Sequence, residues 1–131
     1  MNQSSIAARE QALSKFRSAF SSGDVDAIYR AVTPDFVWRL PIGPDPRVAR
    51  EIDSPQALAE YLNERTRIYS ELRYSDSATY HSDDATFVTF RVSGKRLADN
   101  APFDVLAMER YLFRDGRVSE KDAYWKNIRM E

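Results

Sequence analysis

Apolar positions in the first thirty residues recur at the spacing of a helix. Ile6, Leu13, Phe16 and Phe20 fall on one face, with Arg9, Lys15 and Arg17 mostly elsewhere. Gly23 is placed to end this helix and Asp24 to cap the next. That second helix carries the stripe Val25, Ile28 and Val32, with Pro34 as its stop. Phe36-Val37-Trp38-Arg39-Leu40 is a β-rich run closed by Pro41. Residues 41–53, with Pro41, Gly43, Pro44 and Pro46, read as a loop. Ser54-Pro55 then offers a hydroxyl N-cap followed by proline at the first helical position. Leu58, Tyr61, Leu62, Ile68 and Tyr69 are expected on the inner face of this third helix.

After residue 70 the period changes from helical to alternating. Leu72, Tyr74 and Ala78 predict one strand, followed by a polar turn at Ser82-Asp83-Asp84. Residues 85–97 and 103–113 predict two more, separated by a reversal at Asp99-Asn100. Asp115-Gly116 between two such runs is a strong short hairpin signal, and a last strand follows over 118–128. The order is therefore α-α-β-α-β-β-β-β. Segregated helices and strands predict an α+β fold with helices on one side of an antiparallel sheet. No internal repeat, low-complexity tract or linker divides the chain, so residues 1–131 are expected to form a single domain.

Composition narrows the functional classes. Apolar residues make up 43% and charged residues 30%, a soluble balance. Nineteen Lys and Arg against twenty Asp and Glu give a net charge of −1, so no long-range field draws nucleic acid or an anionic membrane. Without cysteine there is no disulfide, thiolate nucleophile or Cys-based zinc site. Arg9, Glu10 and Lys15 interrupt the first residues, which lack the apolar core of a secretion signal. No window approaches the roughly 20 apolar residues needed to cross a bilayer. A cytoplasmic protein is expected.

Several short motifs, taken in order, carry a family resemblance. Gly23-Asp24 followed by Asp26-Ala27-Ile28 resembles the turn between the first two helices of bacterial ketosteroid isomerases. Pro34-Asp35-Phe36-Val37-Trp38 resembles the entry to the first strand of SnoaL-like polyketide cyclases. Asp115-Gly116-Arg117-Val118 followed by Ala123-Tyr124-Trp125 is similar to the closing hairpin of both groups. The chain thus resembles the nuclear transport factor 2-like superfamily. This resemblance implies a cone-shaped, strongly curved antiparallel β-sheet wrapped around N-terminal helices, with a small-molecule cavity between them. It does not fix the chemistry, because one fold hosts many functions.

Carrying the isomerase roles over residue by residue gives a mostly negative result. That mechanism uses a carboxylate base with a tyrosine and a protonated carboxylic acid as oxyanion donors. The resemblance puts Leu40 near the base position and Phe16 at the tyrosine position, and neither can do the chemistry. The second carboxyl falls near Glu109, or at Met108 if the hairpin is shifted by one residue. Steroid isomerisation by that route is not expected. The dehydratase pattern needs two histidines, and His81 is the only one; it is expected to be a solvated hairpin residue. The epoxide-hydrolase pattern needs an Arg-x-Asp pair that no predicted strand contains. No metal-ligand spacing is present, and Gly94 and Gly116 read as turn glycines rather than a phosphate cradle. Neither a cofactor nor a metal is expected.

A pocket remains. With Phe36, Trp38 and Leu40 inward, alternation turns Val37 and Arg39 out. Val105, Ala107, Glu109, Tyr111 and Phe113 share one face of their strand; in similar proteins Lys121, Ala123, Trp125 and Asn127 would line the cavity. On the 85–97 strand, either Phe87, Thr89 and Arg91 or Val88, Phe90 and Val92 face inward. Phe16, Phe20, Trp38, Leu40, Tyr61, Tyr111, Lys121 and Trp125 are the candidate pocket residues, suited to a small, flat, apolar molecule; plain core packing is the competing reading.

Glu109 interrupts this apolar face and is the candidate catalytic residue. A buried carboxylate without a partner is costly or stays protonated, which would suit a general acid or base. It could equally pair with Arg91 or Lys121, or face the other side of the sheet. Apolar residues on both faces of the last three strands also predict a homodimer through the β-sheet.

Overall fold

A computed structural model describes residues 3–43, 45 and 47–126. Helix α1 (Gln3–Ser22) ends at Gly23, whose φ of 72° is a left-handed conformation and whose N–H bonds to the Phe20 carbonyl at 3.1 Å. The carboxylate of Asp24 accepts from the Asp26 and Ala27 N–H groups and starts α2 (Val25–Arg30). This helix is shorter than its apolar stripe implies, because Val32 already belongs to β1 (Val32–Arg39). Proline disfavours helical backbone in the residue before it, so Thr33 is extended and Pro34 lies inside the strand instead of after the helix. Helix α3 (Pro55–Ile68) starts at Ser54, whose Oγ accepts from the Ala57 N–H at 3.1 Å. Ile68 is exposed and Tyr69 opens the next strand, so neither continues the buried stripe of Leu58 and Tyr61.

The remaining strands are β2 (Glu51–Ile52), β3 (Tyr69–His81), β4 (Thr86–Arg96), β5 (Ala101–Arg114) and β6 (Arg117–Trp125). They form one unclosed, six-stranded sheet in the order β2-β1-β6-β5-β4-β3. Strand β2 lies in the stretch expected to be loop, held against β1 by the pairs Trp38↔Ile52 and Arg39↔Glu51. One pairing departs from the antiparallel expectation: β1 runs parallel to β6. Asn127 and the expected continuation of the last strand to 128 lie outside the described residues.

Curvature enters at irregularities. The β3–β4 register shifts twice, beside Glu71 and Asp76, whose φ values of 57° and 56° are left-handed. Such bulges bend a strand and increase its twist. Gly94 serves the same bend and is not a turn residue. It sits within β4, where an added Cβ would stand 2.9 Å from the Ser70 carbonyl oxygen. Asp115 and Gly116, with φ of 54° and 71°, close the two-residue β5–β6 turn.

Helices cover only the inner face. Leu13 and Phe16 of α1, Ile28 of α2 and Leu58 and Tyr61 of α3 pack with Phe36, Trp38, Val88, Phe90, Val92, Ala107, Tyr111 and Val118 of the sheet. On β4 the inward set is therefore Val88, Phe90 and Val92. His81 is not a solvated turn residue: its side chain is largely buried, with Nδ1 2.9 Å from Thr86 Oγ1 and Nε2 3.4 Å from Glu10. Among the described residues, no helix is long and apolar enough to cross a membrane.

Candidate functional site

A cavity of about 330 Å³ opens between α1, α3 and the inner face of β3–β6. Phe16, Phe20, Trp38, Tyr61, Tyr111 and Trp125 line it, as do Glu109 and Lys121. Leu40 does not. It is buried beside an adjoining cleft of about 500 Å³ under the 41–49 loop, and the two spaces share Pro41, Ala123 and Trp125. Met108, the alternative to Glu109, lies on the opposite face, where it opposes Thr89 and Tyr124.

The polar part of the wall comes from register. Near the turn, Phe113 opposes Val118; one step further Leu112 opposes Glu120, so Ser119 is an extra residue on β6. Because side chains alternate, that single residue decides which way the rest of β6 faces. It puts Lys121 opposite Tyr111 on the inner face, with Glu109 and Ala123 as the next inward pair. Without it, Lys121 would oppose Arg110 and point away from the cavity.

These three side chains meet. The Tyr111 hydroxyl donates to Glu109 Oε1 at 2.5 Å, and Lys121 Nζ lies 3.4 Å from Glu109 Oε2. The Lys121 and Glu109 side chains are only 6% and 15% exposed. Of the two cations considered for Glu109, Lys121 is the one that reaches it; Arg91 pairs instead with Asp104 on the outer face. The ammonium is enclosed by aromatic rings, 4.2 Å from the Phe20 centroid, 4.4 Å from Trp38 and 5.4 Å from Phe16. Burial lowers the Lys121 pKa from its ordinary 10.5, and the opposing effect of Glu109 does not cancel this. Burial, reinforced by the neighbouring Glu109, holds the Tyr111 hydroxyl well above its ordinary value. Tyr61 is pushed up to about 12, mainly by burial.

Two further features define what the cavity can recognise. Trp38 lines the cavity, and its buried Nε1 has no hydrogen-bond partner among the described residues. An unmet buried donor carries a desolvation cost. Arg17 and Arg65 also line the cavity, so three cations stand against the carboxylates of Glu109 and Asp76. The site therefore combines an aromatic body with three cations and two carboxylates.

The model of the SnoaL-like domain matches residues 13–121. None of the curated proteins matches the chain. Among solved structures, an NTF2-like protein of Burkholderia xenovorans is similar at 18% identity and a TM-score of 0.77, covering 92% of this chain and 90% of its own. A provisionally named polyketide cyclase of Xanthomonas campestris pv. campestris is similar at 19% identity and a TM-score of 0.70, with 91% and 93% covered. A Catenulispora acidiphila protein with a ketosteroid isomerase-like fold, in complex with trimethylamine, is similar at 10% identity and 0.67, with 88% and 85% covered. At these identities the structural likeness concerns the fold. The family match spans most of the chain and makes this protein a member of the SnoaL-like domain family, with a fold similar to that of NTF2-like proteins.

Proposed function

We propose that the protein is a cofactor-free acid–base enzyme acting next to a carbonyl group on a small, flat, hydrophobic metabolite. The observation that carries this reading is the convergence of Glu109, Tyr111 and Lys121 on one wall of an otherwise aromatic cavity. Glu109 is the proton acceptor and donor. Lys121 stabilises an oxygen that gains negative charge as the neighbouring carbon loses its proton. The cationic lining supports the same direction of charge development. Two structural neighbours are provisionally named polyketide cyclases; the reading itself rests on this chain's residues. The test uses 2-tetralone, a flat bicyclic ketone with exchangeable protons beside its carbonyl. In deuterated buffer the protein should accelerate deuterium uptake at that carbon; uptake at the buffer rate would sink the proposal.

A second reading concerns assembly, in a cytoplasmic protein. The outer face of β3–β6 exposes Leu106, Tyr124 and Tyr80, with Met108, Leu112 and Phe87 partly covered between them. We propose that two copies pair through this face. Equilibrium sedimentation at micromolar concentration should show a dimer, and a single 15.1 kDa species would refute it.

A further inference from the structure

Lys121 has features beyond those needed to stabilise a developing negative charge. Its Nζ lies within a cavity wall, largely removed from water, against three aromatic rings and one carboxylate. A lysine in an apolar pocket becomes a nucleophile once its proton is taken, and here the acceptor is 3.4 Å away. We infer that Lys121 forms a protonated imine with an aldehyde or ketone held in the cavity. The inference rests on the proposed carbonyl-binding role of this cavity and gives Lys121 a covalent part in it.

The step balances without any further reagent. Glu109 takes one proton from the Lys121 ammonium. The freed nitrogen lone pair forms a C–N bond to the carbonyl carbon, and the C=O π pair moves to oxygen. Glu109 relays a second proton from nitrogen to that oxygen, giving a carbinolamine. It then protonates the hydroxyl with the proton it first accepted. Water leaves as the nitrogen lone pair forms the C=N bond. One ammonium and one carbonyl compound become one iminium ion and one water, and the iminium ends beside the Glu109 carboxylate. The Tyr111 hydroxyl, which donates to Glu109 Oε1, holds that carboxyl group in place. The groups facing Lys121 are Glu109 and Tyr111 from β5, Arg17 from α1 and Arg65 from α3. Both arginines oppose a positive charge on it, and the lowered Lys121 pKa agrees with a free amine being accessible.

Reductive trapping tests this. The protein is incubated with 2-naphthaldehyde and sodium cyanoborohydride, which reduces an imine to a stable secondary amine, and modified peptides are mapped by mass spectrometry. The expected result is one adduct, at Lys121, roughly tenfold or more above Lys15, Lys95 or Lys126, as enclosure of the reactants beside one amine implies. Lys121→Arg should lose the adduct while circular dichroism is unchanged. If that variant fails to fold, the distribution over the four lysines of the wild type decides alone. Adducts spread evenly over the lysines, or an unmodified Lys121, would overturn the inference. Deuterium uptake by 2-tetralone without trapping at Lys121 would leave the acid–base reading standing and remove the imine. With neither uptake nor trapping, both fall.

Discussion

Glu120 and Lys121 are consecutive residues of one strand and live in opposite surroundings. Glu120 turns outward and accepts from Arg39 at 2.6 Å, within reach of solvent and beside a second acid, Glu51. Lys121 turns inward and meets Glu109 among aromatic rings. The outer face holds other such pairs, Arg91–Asp104 among them, with both side chains 49% exposed. Water screens those outer charges, and pairs of that kind are typically worth about 0–1 kcal/mol. The inner pair gave up far more hydration, so its attraction does little more than offset the cost of burial. A pair that adds little to stability and lines a cavity is better placed to serve chemistry than to hold the fold.

The largest expected effect comes from breaking the inner pair. Glu109→Gln keeps the shape, removes the charge and strands a buried cation. Chemical denaturation should show a loss of about 3–5 kcal/mol. Adding Lys121→Met in the same chain should recover most of it, since an apolar replacement needs no partner. A Glu109→Gln variant as stable as the wild type would mean that the pair is less buried than its geometry shows.

The next effect is in pH. Lys121 has a lowered pKa in the folded state, so above that value the unfolded chain binds the extra proton, and stability rises with pH until the ordinary 10.5 is passed. Below the folded pKa the full cost of burying the charge is present. Compared with Lys121→Met, the wild type should gain stability as the pH is raised on the alkaline side, followed up to about pH 9.5. That range stays below the ordinary tyrosine value of 10.0, above which the raised Tyr111 works in the opposite direction. A constant difference between the two proteins would contradict the burial argument.

On the outer face the same surgery should do little. Arg91→Gln or Asp104→Asn is expected to change stability by less than about 1 kcal/mol, and by less still in high salt. Smaller again is the effect at Asp35, whose carboxylate is held at about 2 by its hydrogen bonds from Arg114 and Thr33. In an NMR titration, Arg114→Gln should move it back toward 3.8 without altering the cavity.

What was legible in the sequence follows the range of the interaction that decides it. The Gly23-Asp24 junction, the Ser54-Pro55 helix start and the Asp115-Gly116 turn are written in residues next to one another, and each forms where its chemistry indicates. Strand β2 and the parallel β1–β6 pairing join residues distant in the chain, and no local pattern announces them. The site divides the same way. That Phe16, Trp38, Tyr61 and Tyr111 face inward can be read from period and alternation. Whether Lys121 reaches Glu109 depends on the one-residue irregularity at Ser119, which alternation alone does not reveal. Trp38 Nε1 escaped notice for another reason: a missing hydrogen-bond partner is a property of the packed wall.

The most direct test of the central claim compares stability and chemistry in one molecule, the double variant Glu109→Gln/Lys121→Met. It should fold, regain most of the stability lost by Glu109→Gln alone and keep its aromatic cavity. Binding of 2-tetralone is followed through the fluorescence of Trp38 and Trp125, the only two tryptophans, both in the cavity wall. The account predicts that this stable, ligand-binding variant loses the acceleration of deuterium uptake by about 10²-fold or more, the usual scale of general acid–base catalysis. Uptake at the wild-type rate in the double variant would show that the buried pair takes no part in the chemistry.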